Sequence, residues 1–168
     1  VNLIADQLGA LGTAQIASFK DAQIKAIETR DINGLTTDQV VAMNLIQVKS
    51  LSSDQLRAMS TDQIRAIESK DFVALSASQL DAFTSTQLAG LTSTQLNAMT
   101  VTQLASLDDA QMQSLSTAQV SNLNTTQVSR LKASQVNALS SAQLTAFTST
   151  QLKALSASAL ETLDSTDL

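Results

Sequence analysis

The residues of this chain that could do chemistry are amides, hydroxyls and a few carboxylates, because its 168 residues include no His, Cys, Tyr or Trp. Without imidazole or thiol there is no Ser-His-Asp triad, no thiolate nucleophile and no zinc site of the usual Cys/His type. General acid or base work would fall to Asp, Glu or Lys. We therefore predict no enzymatic activity, no catalytic or cofactor-binding residues, no metal site and no cofactor.

Glutamine is the most regular polar residue in the chain. It fills 17 of the 21 positions found at every eighth residue from Gln7 to Asp167, a set called the glutamine column below. The four exceptions are Asp31, Asp71, Ala159 and Asp167. A row of amides at constant spacing could hold a ligand, but helix capping gives these residues a simpler role.

The residues around each glutamine have the pattern of a helix start. Thr92 precedes Gln95 by three residues, and Leu91 and Leu96 flank the pair, as in a capping box with a hydrophobic staple. Of the 20 equivalent cap positions from Gly12 to Asp164, 15 are Ser, Thr, Asn or Asp, which are the preferred N-cap residues. We interpret the glutamines as the N3 partners of these caps.

Three further columns share the eight-residue period, which continues from Gly12 onward without an insertion or deletion. Every eighth residue from Leu8 (the first apolar column) and from Leu11 (the second apolar column) is apolar. Between them lies a small column, in which 17 of 20 residues are Ala, Ser or Gly; its exceptions are Asn122, Arg130 and Thr162. The small residues should let neighbouring backbones approach closely.

This period excludes one continuous helix, because eight residues leave an apolar stripe about 80° further round after each repeat. The spacing within each octad, apolar at offsets of two and three, also departs from strand alternation. We predict an all-α solenoid of about 20 very short capped helices, one per octad, spanning residues 1–168 as a single domain. Because both termini fall inside an octad, we expect a segment of a longer array with some end-to-end association.

The number of octads in each superhelical turn stays open at this point between two and five. The five-octad alternative rests on the likeness between residues 28–35 (ETRDINGL) and 68–75 (ESKDFVAL), which lie 40 residues apart.

Several other polar groups have both a functional and an ordinary interpretation. The TSTQ segments at 84–87, 92–95 and 148–151 could form a hydroxyl lattice that binds ice or could carry glycans, but helix capping is enough to explain their Ser and Thr residues. Asp108 and Asp109 could contribute to a calcium site, although acids also favour helix N-termini. Four basic residues share one position of the octad and are called the basic column; they are Lys25, Lys49, Arg57 and Arg65. They could form a basic stripe, but we expect a solvated face with Asp54–Arg57 and Asp62–Arg65 ion pairs.

The net charge and the hydropathy of the chain limit the kinds of partner that we expect it to bind. The formal net charge of −5 and the pI of about 4.5 argue against nucleic acid, whose phosphates attract basic surfaces. No apolar run approaches the 18 or so residues of a membrane span. We expect neither nucleic-acid binding nor membrane insertion.

Runs such as LTSTQLNAMTVTQLASL and LSTAQVSNLNTTQVSRLKASQVNAL resemble the Leu-Ser/Thr-x-x-Gln-Leu/Val-x-Ala repeats of large secreted or surface-associated proteobacterial proteins, some of them adhesin-like. The resemblance covers essentially the whole chain. It implies a secreted or cell-surface location. From the unbroken register and the octads cut at both ends, we expect a structural role as a spacer, stalk or scaffold. The alternative is a binding module whose Ser/Thr-rich face recognises a glycan, a peptide or an ice surface.

Overall fold

The computed structural model describes residues 3–161 and 163. In this part of the chain there are nineteen short α-helices and one 3-10 turn, so the predicted all-α repeat fold with one helix per octad is confirmed. The helices are α1 Ala5–Gly9, α2 Thr13–Ala17, α3 Asp21–Lys25, the 3-10 turn Ile32–Gly34, α4 Thr37–Val41, α5 Leu45–Ser50, α6 Ser53–Ala58, α7 Thr61–Ala66, α8 Ser69–Phe72, α9 Ala77–Asp81, α10 Ser85–Ala89, α11 Ser93–Ala98, α12 Val101–Ser106, α13 Asp109–Ser114, α14 Thr117–Ser121, α15 Thr125–Val128, α16 Ala133–Asn137, α17 Ser141–Thr145, α18 Ser149–Ala154 and α19 Ala157–Leu160.

Two extended residues are enough to separate one helix from the next. Leu51 ends α5 with φ −60° and ψ 133°, and Ser52 caps α6 with φ −73° and ψ 161°. No residue in the described part of the chain has positive φ, glycines included. The corners therefore use ordinary extended backbone, and the sequence needs neither proline nor left-handed glycine to turn.

Each superhelical turn takes between three and four octads, so both sequence-based alternatives, two and five, were wrong. Helices three octads apart pack together, as α4 does with α7, α8 with α11 and α10 with α13. Side-chain hydrogen bonds also join residues 28 and 31 positions apart, as Gln95 does with Ile67 and Ile64. The likeness between residues 28–35 and 68–75 thus does not mark one superhelical turn, because their 40-residue spacing exceeds it.

The two apolar columns form one continuous core along the superhelical axis. Leu56, Leu80 and Leu96 of the first column have no exposed surface, and Leu107 and Leu123 of the second are 3% exposed. Burial of each such side chain stabilises the fold by roughly 1.5–3 kcal/mol. Since helices of four to six residues are unstable alone in water, packing between superhelical turns must hold them in place.

The small column brings backbones together at one point in particular. A Cβ atom on Gly34 would collide with backbone atoms of Ala5 in the preceding superhelical turn. Asn122 and Arg130, two exceptions in this column, are exposed, so their longer side chains extend into solvent. The third exception, Thr162, lies outside the described residues. Close backbone approach between superhelical turns is thus confirmed at Gly34.

None of the helices in the described part of the chain combines the length and the apolar character needed to cross a membrane.

Candidate functional site: the glutamine column

Every glutamine of the column caps its own helix through its side-chain oxygen. The Oε1 atom of Gln95 accepts from the backbone N–H of Thr92 at 3.1 Å, and the Thr92 hydroxyl accepts from the backbone N–H of Gln95 at 3.1 Å. This is the predicted capping box, and it recurs at each Ser, Thr, Asn or Asp cap that has a column glutamine. At Ile4, Gly12, Lys20 and Lys132 only the glutamine half of the box is made.

The nitrogen of the same amide group reaches the previous superhelical turn. In fourteen glutamines, Nε2 donates to the carbonyl oxygen 28 residues earlier at 2.6–3.0 Å. In twelve of them it also lies within hydrogen-bond distance of the carbonyl oxygen 31 residues earlier. The fourteen are Gln39, Gln47, Gln55, Gln63, Gln79, Gln87, Gln95, Gln103, Gln111, Gln119, Gln127, Gln135, Gln143 and Gln151.

One buried side chain therefore satisfies polar groups at two helix ends. A short helix leaves N–H groups unpaired at its start and C=O groups unpaired at its end. Gln55 accepts from the Ser52 N–H at the start of α6 and donates to the carbonyl oxygens of Ile24, in the last turn of α3, and Ile27, just after α3. Its side chain is only 2% exposed, so these bonds form away from solvent, where an unpaired carbonyl would cost about 1–3 kcal/mol.

This second bond explains the choice of glutamine over glutamate, which the sequence-based interpretation missed. A capping box accepts either residue at N3, yet the glutamine column contains no Glu. A glutamate could accept from the cap, but its carboxylate would face two carbonyl oxygens without a proton to donate. The absence of Glu from a surface-type capping motif was the signal that could have revealed the inter-turn bond.

Two segments of this array of capped helices are similar to a known repeat family. Residues 3–37 and 64–101 match the ALTTAQ repeat family model. The chain is thus similar to a family of repeat arrays over these two segments. No curated protein and no solved structure matches the chain.

Asp31 and Asp71 take the place of glutamine in the glutamine column, and both are buried. Asp31 reverses the direction of the inter-turn bond, since its Oδ1 atom accepts from the backbone N–H of Ala5 at 3.1 Å. Burial raises the pKa of the Asp71 carboxyl, the positive charge of Lys70 opposes this rise, and Glu68 adds to it. Asp71 is therefore a carboxyl group that the fold does not favour in its charged form.

Asp108 has the structural role that we preferred over calcium binding. Its Oδ1 atom accepts from the backbone N–H of Gln111 at 2.8 Å and caps α13, which begins at Asp109. Within the described residues no three acidic side chains are grouped so that they could hold a metal ion.

The TSTQ segments divide their hydroxyls between capping and solvent. Thr84, Thr92 and Thr148 are N-caps, whereas the next two residues of each segment are exposed. Because the segments at 84–87 and 92–95 belong to successive octads of one superhelical turn, they lie on different sides of the solenoid. Their hydroxyls do not form a single flat row.

The basic column does not form a stripe. Lys49, Arg57 and Arg65 are exposed, and they belong to successive octads, which face different directions around the superhelical axis. The expected Asp54–Arg57 and Asp62–Arg65 ion pairs are absent from the described part of the chain. Exposed pairs gain little free energy in water, so nothing holds these side chains together. Lys25 does pair with Asp21, at 3.5 Å.

Proposed function

We propose that this chain is a structural repeat segment that acts as a stiff spacer, stalk or scaffold in a secreted or cell-surface bacterial protein. The chain is a repeat protein of capped helices, as its fold and the two segments that match the ALTTAQ repeat family indicate. We infer the mechanical role from the hydrogen bonds between superhelical turns.

The observation behind this role is the continuity of the inter-turn amide bonds. From Gln39 to Gln63 and from Gln79 to Gln151, each octad is bonded to the preceding superhelical turn. Bending the column would open these buried bonds on one side and expose both an amide and a carbonyl group. Each lost bond costs about 0.5–1.5 kcal/mol net. A column bonded in this way at fourteen octads, which face successive directions around the axis, resists bending in all directions.

The hydrogen bonding of the buried polar side chains favours a structural role over catalysis. The buried polar side chains of the described residues are the glutamines, which bond within the fold, and Asp31 and Asp71. The glutamines thus have no free hydrogen-bonding capacity for a substrate in the interior of the column. We propose that the chain has no enzymatic activity of its own.

Small-angle X-ray scattering on arrays of different length tests stiffness. Duplicating residues 92–123 adds four octads, about one superhelical turn, and should lengthen the particle by roughly 8–10 Å at constant cross-section. Further duplications should give equal increments. Growth with the square root of the number of octads, as for a flexible chain, would contradict the proposal.

The proposed location rests on the resemblance to secreted and surface arrays. An antibody against the folded chain should label intact bacteria that produce the parent protein, and external protease should remove the label. Detection only after lysis would exclude the surface and leave the mechanical role to be judged by scattering.

A further inference from the structure

The octad at residues 68–75 departs from the repeat at two positions. Its cap position holds Glu68, where most octads have Ser, Thr, Asn or Asp, and its place in the glutamine column holds Asp71. The Glu68 side chain does not cap α8, which is only four residues long. The corner that joins α7 to α8 is therefore built differently from the corners that have a full capping box.

An open cavity of about 380 Å³ lies at this corner, on the side of the column. Ile67 and Gln95, which are buried and joined by an inter-turn hydrogen bond, lie at its base. Its walls come from three successive superhelical turns: Val41 at the end of α4, the corner from Arg65 to Ser69, and the start of α11. Small-molecule sites have volumes of about 300–1,000 Å³, so this cavity suits a ligand of the size of one sugar ring.

Three side chains of the lining have hydrogen-bonding capacity that the fold does not use. Arg65 is exposed and forms neither an ion pair nor a side-chain hydrogen bond within the described residues. The hydroxyls of Ser69 and Thr94, on the α8 and α11 sides of the cavity, also have no partner in the described part of the chain. The Thr92 hydroxyl, by contrast, is occupied by hydrogen bonds with Gln95. The cavity thus offers a guanidinium group and two hydroxyl groups to a ligand.

Glu68 adds an acceptor to these groups. Its Oε2 atom forms an ion pair with Nζ of Lys70 at 2.5 Å, which offsets the negative charge of the carboxylate. A carboxylate has about four acceptor positions, so Glu68 can still accept from a ligand hydroxyl. Arg65 has no carboxylate of its own, and it is the group that a ligand anion would meet.

We infer that this cavity binds a sugar unit that carries a carboxylate, of the uronic acid class. The ligand carboxylate pairs with the planar guanidinium of Arg65, whose geometry matches it. The ligand hydroxyls exchange hydrogen bonds with Ser69, Thr94 and Glu68, and the apolar face of the ring packs on Val41, which is 47% exposed. This binding site goes beyond the proposed spacer role and would let the array hold an acidic polysaccharide along its side.

The lining distinguishes this ligand from others of similar size. A neutral sugar would leave the Arg65 guanidinium without an anion. A simple carboxylate such as acetate would leave the Ser69 and Thr94 hydroxyls unused. An α-amino acid would bring an ammonium group to Glu68, the one carboxylate among the described lining residues, which is already paired with Lys70.

Two variants remove the groups that recognise the ligand, and each has a control at the same position of a neighbouring octad. Arg65→Gln removes the cation, and Arg57→Gln is its control with the same change in charge. Thr94→Val removes a hydroxyl at nearly constant shape, and Thr102→Val is its control. All four positions are exposed, so the variants should fold, as circular dichroism can check.

Titration of the ¹⁵N-labelled chain, followed by two-dimensional NMR at constant ionic strength, provides the test. D-galacturonate should shift the backbone amide signals of Ser69 and Thr94 until they saturate. Galactose, acetate and glycine should bind about tenfold or more weakly, and Arg65→Gln should weaken galacturonate binding by a similar factor, because a charge-assisted hydrogen bond is lost. Thr94→Val should cause a smaller loss, and the two controls should bind as the wild type does.

The inference is overturned if galacturonate causes no saturable shift, or if galactose, acetate or glycine binds as tightly. It is equally overturned if Arg57→Gln weakens binding as much as Arg65→Gln, since the attraction would then belong to the surface in general, or if Thr94→Val binds as tightly as Thr102→Val. A chain that binds no galacturonate but lengthens by equal increments keeps the spacer role and loses the sugar site.

Discussion

The Nε2 atom of Gln95 lies 2.9 Å from the carbonyl oxygen of Ile67, 28 residues earlier, while Oε1 of the same side chain accepts from the Thr92 N–H. A single amide group thus starts one helix and is bonded to the end of another in the preceding superhelical turn. Because this arrangement repeats at fourteen octads of the described chain, the stability of the fold and the stiffness that we propose would have a common origin.

Replacing Gln95 by Glu should destabilise the fold more than its small change in size would suggest. The carboxylate can still accept from Thr92, but it is buried against the carbonyl oxygens of Ile64 and Ile67 without a donor. An uncompensated buried charge costs about 3–5 kcal/mol. Urea denaturation at neutral pH should show a loss of this size.

Lowering the pH should reverse the destabilisation caused by Gln95→Glu. Burial is expected to raise the pKa of the new carboxyl in the folded chain, so the destabilisation is complete above that pKa and vanishes below the unfolded value near 4.3. Gln113→Glu is the matched control, because Gln113 is exposed and lies outside the glutamine column. Equal effects of Gln95→Glu and Gln113→Glu would contradict the inter-turn bond.

Removing one cap hydroxyl should have a smaller effect. The Thr92 side chain accepts from the Gln95 N–H at 3.1 Å, and loss of an N-cap side chain costs about 1 kcal/mol. We expect Thr92→Ala to lower the free energy of unfolding by this amount and Thr92→Ser to retain most of it. The neighbouring exposed Ser93, which does not cap α11, serves as the control through Ser93→Ala. A Thr92→Ala variant as stable as Ser93→Ala would show that packing alone defines the helix start.

Two glycines of the small column should respond differently to alanine. In Gly34→Ala the new Cβ meets backbone atoms of Ala5, which can move only if α1 shifts. Overpacking of this kind costs about 1–3 kcal/mol. In Gly90→Ala the new Cβ meets the Cγ2 atom of Thr61, a side-chain group that can rotate away.

Neither glycine has positive φ, so alanine fits both backbones and gains about 0.4–1 kcal/mol by restricting the unfolded chain. Gly90→Ala should therefore be close to neutral, and Gly34→Ala clearly destabilising, in parallel denaturation curves. Thr61→Ser removes the contacting methyl group and should abolish any loss that Gly90→Ala shows. Equal losses at the two glycines would contradict the close backbone contact at Gly34.

The buried Asp71 should make stability depend on pH. Its pKa in the folded chain is raised by burial, so the unfolded chain releases this proton first, and stability falls as pH rises from the ordinary value of 3.8 through the folded pKa. Asp71→Asn should remove this fall, and so be more stable than the wild type at neutral pH but not below pH 3.8. The other charged groups around Asp71 are Lys70 on α8, Glu68 at the N-cap of α8 and Lys49 on the packed helix α5, while α11 has none.

The comparison is made by thermal unfolding across this pH range, with Asp81→Asn as the control because Asp81 is exposed. Parallel pH curves for the wild type and Asp71→Asn would contradict the assignment.

The local part of this fold was predictable because its causes are local. The capping box around Thr92 and Gln95 involves residues three positions apart, and the apolar columns repeat without interruption, so helix starts and the core could be deduced from spacing. The second role of Gln95 could not be deduced in the same way, because its acceptors at Ile64 and Ile67 are defined only once the superhelix has closed. The absence of Glu from the glutamine column was a trace of that role.

By itself, the sequence determined where each helix begins, which side chains form the core and which chemistry the chain lacks, since these depend on residue type and short-range spacing. The number of octads in a superhelical turn and the carbonyls that the glutamines reach emerge only from the folded chain. The physical reason is that the angle between successive octads comes from how buried side chains fit together. Small differences in that angle accumulate along the chain, and no single octad specifies their sum.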